Sequence, residues 1–367
     1  MKIPLIKPFI NEEIKKRVMD VLDSGYLTEG VVTHEFERVF AEYINAKHAI
    51  AVNSCTTGLE LALRALGIGP GDEVIVPDYT YPATATVVAI VGAHCVIVDV
   101  DPKSMLINYD AIKKAITPKT RAIIPVSLFG NPLDYDRLDQ IKRKNDLYII
   151  EDAACSIGAE YNERKTGTFA DISVFSLHPR KFITTGEGGM ITTENDALAE
   201  WMNSYKHFGM SMSNVSREGI RFEIPGTNYK LSNIQSAIGL GQMEHVWSLL
   251  ERRQILAKRY DRLFENVQGI TLPDTTPNGI HSYQSYCIFT SSRDKIMNTL
   301  RPQGVEVQIG TYSLHMHPAF RNEQLFTIAG EMKGSSYAYN HCLALPLFHD
   351  LTHEEQDFVV NKIKEIN

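Results

Sequence analysis

Apolar residues fall at helical spacing twice near the start of the chain. Ile14, Val18, Val21 and Leu22 share one face behind a candidate Asn11 cap, and Phe36, Val39, Phe40 and Tyr43 share another behind Thr33. Both patterns predict amphipathic helices. Between them Ser24-Gly25-Tyr26-Leu27-Thr28-Glu29-Gly30 has no periodicity and reads as a loop. From 48 to 193 the rhythm changes to short apolar runs at 48–52, 73–76, 95–98, 121–126, 147–150, 171–176 and 189–193, separated by helical stretches such as 57–66. Continuous apolar runs such as Val74-Ile75-Val76 suit strands covered on both faces, so this region is expected to form a mostly parallel sheet between helical layers. The last two strands should break strict alternation, because loop and glycine join them and no helix does. A long helical stretch over 232–265 leads to strands at 283–290 and 304–308 and helices at 293–301 and 353–365. The expected division is a large α/β domain over 1–245, including the N-terminal helices, and a small α+β domain over 246–367.

Composition narrows the class. With 367 residues, 44% hydrophobic and 22% charged, the chain is long enough for two domains around ordinary cores. The net charge of −7, with both signs interspersed, argues against a nucleic-acid footprint. Cys55, Cys95, Cys155, Cys287 and Cys342 are odd in number and scattered, with no C-x-x-C pair. That argues against a disulfide framework or zinc site and for a reducing compartment. The first ten residues are interrupted by proline and lysine, unlike a signal peptide, and no apolar run reaches membrane-spanning length. A cytoplasmic protein is expected.

Candidate chemistry gathers at strand ends. Lys181 lies in Phe175-Ser176-Leu177-His178-Pro179-Arg180-Lys181-Phe182, ahead of Thr184-Thr185-Gly186-Glu187-Gly188-Gly189-Met190. Backbone packed around such a lysine would desolvate it, disfavour its charged form and raise its nucleophilicity. Glu151-Asp152-Ala153-Ala154 follows the strand at 147–150, at the carboxyl end where open α/β sheets bind ligands. Taken singly, a loop lysine is a surface charge and an acidic pair is a cap. Together they supply what pyridoxal phosphate requires: an amine for covalent attachment and a carboxylate facing the pyridinium nitrogen. Asn53-Ser54-Cys55-Thr56-Thr57-Gly58 enters a helix behind the first strand, either as an ordinary N-cap or as a phosphate site built from backbone N–H groups. Tyr81, behind the next strand, could stack on a flat ring or pack at a rim.

With these blocks in place, the sequence resembles the DegT/DnrJ/EryC1/StrS family of sugar-nucleotide aminotransferases over almost its whole length. The likeness includes Gly67-Ile68-Gly69-Pro70-Gly71-Asp72-Glu73-Val74-Ile75-Val76-Pro77, the Glu151 and Lys181 blocks, and Asn228-Tyr229-Lys230-Leu231-Ser232-Asn233-Ile234-Gln235-Ser236-Ala237-Ile238-Gly239-Leu240. It implies the aspartate-aminotransferase-like fold of type I pyridoxal phosphate enzymes. By the same resemblance Lys181 holds the cofactor and shuttles a proton, Asp152 pairs with the ring nitrogen and Tyr81 stacks on the ring. Thr56, Thr57 and Ser176 cradle the phosphate, and Cys155 lies near the ring hydroxyl. Asn228 reaches the phosphate of a neighbouring subunit, which makes a homodimer with shared sites. Tyr26, His178, Lys230, His315 and His317 fall on the substrate side. L-Glutamate is the implied donor and a nucleotide-linked keto sugar the acceptor. Thr184-Thr185-Gly186-Glu187-Gly188-Gly189 favours C4 of a 4-keto-6-deoxyhexose over C3. Cyclitol amination, sugar dehydration and a non-enzymatic regulatory role on the same fold are the alternatives.

Three positions depart from the family pattern. Cys155 replaces a stronger hydrogen-bonding residue, Cys55 stands where glycine is common, and Lys230 replaces arginine. Both substrates are anionic, so Arg180, Lys206, His207, Arg217, Arg221 and Lys230 are candidates for a basic mouth.

Overall fold

The computed structural model describes residues 2–211 and 219–367. Its centre is an eight-stranded sheet of β1 (His48–Val52), β2 (Glu73–Pro77), β3 (His94–Val98), β4 (Thr120–Ile123), β5 (Tyr148–Asp152), β6 (Ile172–Ser176), β7 (Gly189–Thr193) and β8 (Phe326–Ala329). The spatial order is β1-β7-β6-β5-β4-β2-β3-β8. Only β7 is antiparallel to its neighbours, with Gly189 opposite Ser176 and Val52. The segment from β6 to β7 carries Lys181 and contains no helix, so the chain turns straight back, as the sequence pattern anticipates.

Alternation along each strand feeds two cores. Val74, Val76, Ile150 and Val174 pack with Leu59, Leu63 and Val87 from helices Cys55–Ala65 and Ala83–Ile90. On the opposite face Ile75, Ile123 and Ile149 pack with Ile112 and Leu138 from helices Tyr109–Ala115 and Tyr135–Asn145. Both faces are covered, which is why these strands read as unbroken apolar runs. Phe36 and Phe40 of helix Val31–Ile44 close the β7 end against Phe175 and Met190.

Beyond residue 246, a smaller antiparallel sheet orders Ile270–Thr271, Tyr286–Thr290, Cys342–Leu345 and Gln308–Ile309. Helices Val246–Phe264, Arg293–Leu300 and His353–Ile366 cover it around Leu256, Ile288, Leu343 and Val359. Between strands Gln308–Ile309 and Cys342–Leu345 the chain contributes β8 to the large sheet, parallel to β3.

Several boundaries differ from the sequence-based expectation; the strand expected over 121–126, for one, ends at Ile123. Helix Val31–Ile44 begins behind Gly30, and Thr33 sits inside its first turn, where its N–H and hydroxyl both donate to Asn233 Oδ1 at 3.1 Å. A partner distant in sequence therefore displaced the local cap. The stretch 232–265 is two helices, Asn233–Met243 behind a Ser232/Gln235 capping box and Val246–Phe264. The strand expected over 283–290 starts at Tyr286, because Tyr283 takes a left-handed φ of 53°. The strand expected over 304–308 shrinks to Gln308–Ile309, and Val305 makes only an isolated bridge to Ile3. Among the described residues no helix is long and apolar enough to cross a membrane.

Candidate active site

Successive residues of β5 point to opposite faces, which separates the two carboxylates of Glu151-Asp152. Glu151 is fully buried and fully occupied. Its Oε1 accepts from Ser127 Oγ at 2.5 Å and Tyr135 Oη at 2.6 Å, and its Oε2 from Ser173 Oγ at 3.0 Å and Gly167 N–H at 3.2 Å. Burial pushes its pKa up, against the pull of these donors. Glu151 is a structural acid.

Asp152 lies on the other face, 5% exposed. Its Oδ2 accepts from Thr84 Oγ1 at 2.8 Å, and Thr80 Oγ1 lies 2.9 Å from the Thr84 hydroxyl. Its Oδ1 has a longer bond, 3.2 Å, from Ala154 N–H. Burial raises this pKa too, although Thr84, Ala154 and the Lys181 charge oppose the rise. An acid desolvated this far, with one oxygen weakly held, fits a cationic ring nitrogen brought to it. Thr84 was missed from sequence; the available signal was a threonine within the first turn of the helix behind Tyr81.

Lys181 extends towards the same place, and its Nζ donates to Cys155 Sγ at 3.1 Å. Burial lowers its pKa, as the sequence suggests, but the thiol groups and the Asp152 carboxylate around it pull the other way, and the net shift is upwards. Cys155 contributes most of that opposing pull, followed by Cys55 and Asp152. Without cofactor this lysine is therefore a stabilised ammonium rather than a free amine. The desolvation expectation neglected those neighbours. Burial pushes the Cys55 thiol well up, so it is neutral at physiological pH.

The candidate anion site, the start of helix Cys55–Ala65, lies beside this pair. Ser54 caps helix Cys55–Ala65 by accepting from Thr57 N–H at 3.1 Å, and Gly58 N–H bonds to Ser54 C=O. Among the described residues the N–H groups of Cys55 and Thr56 have no partner, which leaves two donors at the positive end of the helix dipole. Thr57 Oγ1 is committed to Asn53 Oδ1 at 2.7 Å and Ser54 C=O at 2.9 Å, so it braces the turn. Gly189 permits the packing: a Cβ there would lie 2.8 Å from Cys55 N and Ser54 C. Ser176, buried at the end of β6, pairs with Gly189 across the ladder. Asn228 is tied to the same turn within this chain, its C=O accepting from Asn53 Nδ2 at 3.5 Å while Tyr229 C=O accepts from Asn53 N–H at 2.9 Å.

Tyr81 is 66% exposed, its ring centre 6.3 Å from that of Tyr312. A short ladder, Tyr312 opposite Thr80 and Ser313 opposite Tyr79, brings the 312–317 segment here. His315 is held on fully buried Asp78, its N–H donating to Oδ1 at 2.7 Å and its Nδ1 lying 2.6 Å from Oδ2. The His317 ring stands edge-on to Tyr312 at 5.6 Å, and among the described residues its buried Nε2 has no partner. Tyr26 is 79% exposed, with its C=O accepting from Asn233 Nδ2. The His178 ring accepts from Arg180 N–H at 3.2 Å and lies 3.8 Å from Glu187.

The basic mouth needs correction. Lys206 is fully buried, its Nζ 3.2 Å from Glu29, Glu37 and the Ala51 C=O, and His207 Nε2 lies 2.8 Å from Glu29. These two side chains are paired inside the fold, an arrangement no local sequence pattern reveals. Arg180 and Arg221 are exposed, Lys230 Nζ lies over the Phe208 ring at 5.2 Å, and Arg217 is outside the described residues. Burial lowers the Lys230 pKa, with the Glu29 charge opposing it. Lys206→Met should destabilise the protein by about 3–5 kcal/mol in denaturant unfolding, because two buried carboxylates lose their cation.

A lysine and a buried carboxylate converging at the carboxyl ends of a mostly parallel sheet, beside a helix N-terminus, define a pyridoxal phosphate-dependent aminotransferase. The chain belongs to the DegT/DnrJ/EryC1/StrS aminotransferase family, whose sequence profile matches residues 8–364. It is 35% identical to GDP-perosamine synthase of Caulobacter vibrioides, over all of this chain and 98% of that one. Its fold matches the putative sugar aminotransferase Spr1654 of Streptococcus pneumoniae in the PMP form, with a TM-score of 0.94, 30% identity and coverage of 100% and 99%. GDP-4-keto-6-deoxymannose-3-dehydratase shares the fold alone, at 24% identity and a TM-score of 0.92 over 98% of this chain and 100% of that one.

Proposed function

We propose that the chain moves an amino group from L-glutamate to C4 of a nucleotide-linked 4-keto-6-deoxyhexose, with Lys181 as the reacting residue. The observation that carries this reading is the convergence of Lys181 and Asp152 beside the unpartnered N–H groups of Cys55 and Thr56. Pyridoxal phosphate, held by Lys181, Asp152 and that helix start, supplies an electron sink for the substrate carbanion. Asp152 keeps the ring nitrogen protonated, and the Thr80–Thr84 pair holds the carboxylate in place. Lys181, once free, would accept the proton from the donor's α-carbon and, in the second half of the reaction, deliver a proton to the sugar carbon that receives the amine. The exposed Tyr81 ring covers one ring face. The N–H groups of Cys55 and Thr56 and the Ser176 hydroxyl bind the phosphate while Thr57 braces the turn, Cys155 lies near the ring hydroxyl, and Asn228 completes the site across a homodimer. Tyr26, His178, Lys230, His315 and His317 line the sugar-nucleotide side, His317 offering its free Nε2 to a hydroxyl or phosphate.

The likeness to GDP-perosamine synthase supports the C4 assignment. The lysine favours amine transfer over dehydration, because it supplies covalent attachment and proton transfer from one group. Incubation with glutamate and a panel of GDP-, UDP- and dTDP-linked keto sugars, followed by mass spectrometry, tests the proposal. An amino sugar formed with stoichiometric 2-oxoglutarate is expected from one 4-keto substrate. A deoxygenated product without nitrogen would convert the reading to a dehydratase, and turnover of keto-inositols alone would make it a cyclitol enzyme.

A further inference from the structure

The turn bearing Lys181 is gripped from the C-terminal part of the chain by one side chain. Gln284 is 6% exposed. Its Nε2 donates to Arg180 C=O at 2.8 Å, and its Oε1 accepts from Phe182 N–H at 2.7 Å. Those groups belong to the two peptide planes flanking the Lys181 Cα. A residue's backbone has two soft dihedrals, so holding both planes fixes φ and ψ of Lys181 and the direction in which its side chain leaves. Among the described residues neither group has another partner.

Gln284 is itself held from two sides, by Gly130 and by Arg253. Ser282 N–H donates to Gly130 C=O at 3.0 Å. Gly130, at φ 98°, admits the strand closely, since a Cβ there would lie 2.5 Å from Ser282 Oγ and 2.9 Å from the amide nitrogens of Tyr283 and Gln284. Arg253, buried and pulled down to about 10 by burial, donates from Nη2 to Gln284 C=O at 3.4 Å and lies 5.5 Å from the centre of the Phe182 ring. The preceding residue, Tyr283, holds its left-handed conformation, a strain that the surrounding packing must maintain.

We infer that Gln284 is a positioning residue through which the C-terminal part of the chain sets the orientation of Lys181. The inference rests on Lys181 being the reactive amine. Two holoenzyme variants test it. Gln284→Met keeps the length and loses both bonds, while Gln284→Glu keeps the acceptor and sets a second oxygen against Arg180 C=O. The readouts are the pH midpoint of the long-wavelength absorbance of bound cofactor, and kcat and KM for the glutamate half-reaction.

The methionine variant should lower kcat by about 10²-fold with KM within about twofold, and should move the absorbance midpoint; misplacing a reacting group by an ångström costs this much. The glutamate variant should fall between it and wild type. If melting temperature drops while midpoint and kcat stay within about twofold of wild type, Gln284 is ordinary packing and the inference fails. Should the methionine variant not fold, the glutamate variant decides by the same two readouts. Failure of the lysine assignment is separately visible: Lys181→Ala would then keep the long-wavelength absorbance.

Discussion

Lys181→Ala protein should fold with wild-type secondary structure, yet show no long-wavelength absorbance with pyridoxal phosphate and lose about 10⁴-fold or more of its turnover. Two roles go together in that loss, covalent attachment and proton transfer. Of the other basic side chains considered for the mouth, Lys206 and His207 are held on Glu29, and Arg180 and Arg221 are exposed. Retained turnover would show that a different amine does the chemistry. A second result follows from the charge on Lys181. Its pKa is raised in the cofactor-free protein, so attachment requires the ammonium to give up a proton first. The rate of reconstitution by added cofactor, followed by absorbance, should therefore climb with pH. Cys155→Ala removes the strongest opposing influence on burial and should shift that rise to lower pH.

Asp152→Asn should lose on the order of 10²–10⁴-fold in turnover, because a neutral amide cannot hold the ring nitrogen protonated. Near-normal rates would remove Asp152 from the site. Stability should change in the opposite direction, but only without cofactor. Folding raises the pKa of Asp152, so between its ordinary and raised values the folded state binds more protons than the unfolded one. Stability of the cofactor-free protein then falls as pH rises through that window, and the penalty persists above it. The asparagine variant escapes the penalty. Its cofactor-free form should melt above cofactor-free wild type at neutral pH, and the gap should close on acidification, when Asp152 protonates. Glu151 carries a rise of the same sign in both proteins and cancels from the comparison. A gap that widened on acidification would contradict this account of Asp152.

Much of the large sheet was legible because buried parallel strands announce themselves as unbroken apolar runs, and the antiparallel β7 because no helix separates it from β6. Lys181, Asp152 and the Ser54 turn were legible for a related reason: each lies within a few residues of a strand end. What escaped the sequence depends on partners far apart in the chain. Thr33 looked like a cap until Asn233 took both of its donors. Lys206 looked like a surface charge, although Glu29 and Glu37 fold around it. His315 gave no sign that buried Asp78 would fasten its ring, since the two stand on segments joined only by a two-residue ladder. Gln284 was invisible for the same reason. Nothing near it in sequence points to residues 180 and 182.

The late strand β8, laid beside β3 by the same part of the chain that builds the second sheet, has a practical consequence. A fragment ending near residue 245 would leave His94–Val98 with open N–H and C=O groups along one side, a ready template for pairing with other molecules. Such a fragment is expected to aggregate on expression, and co-expression with the complementary piece to rescue it.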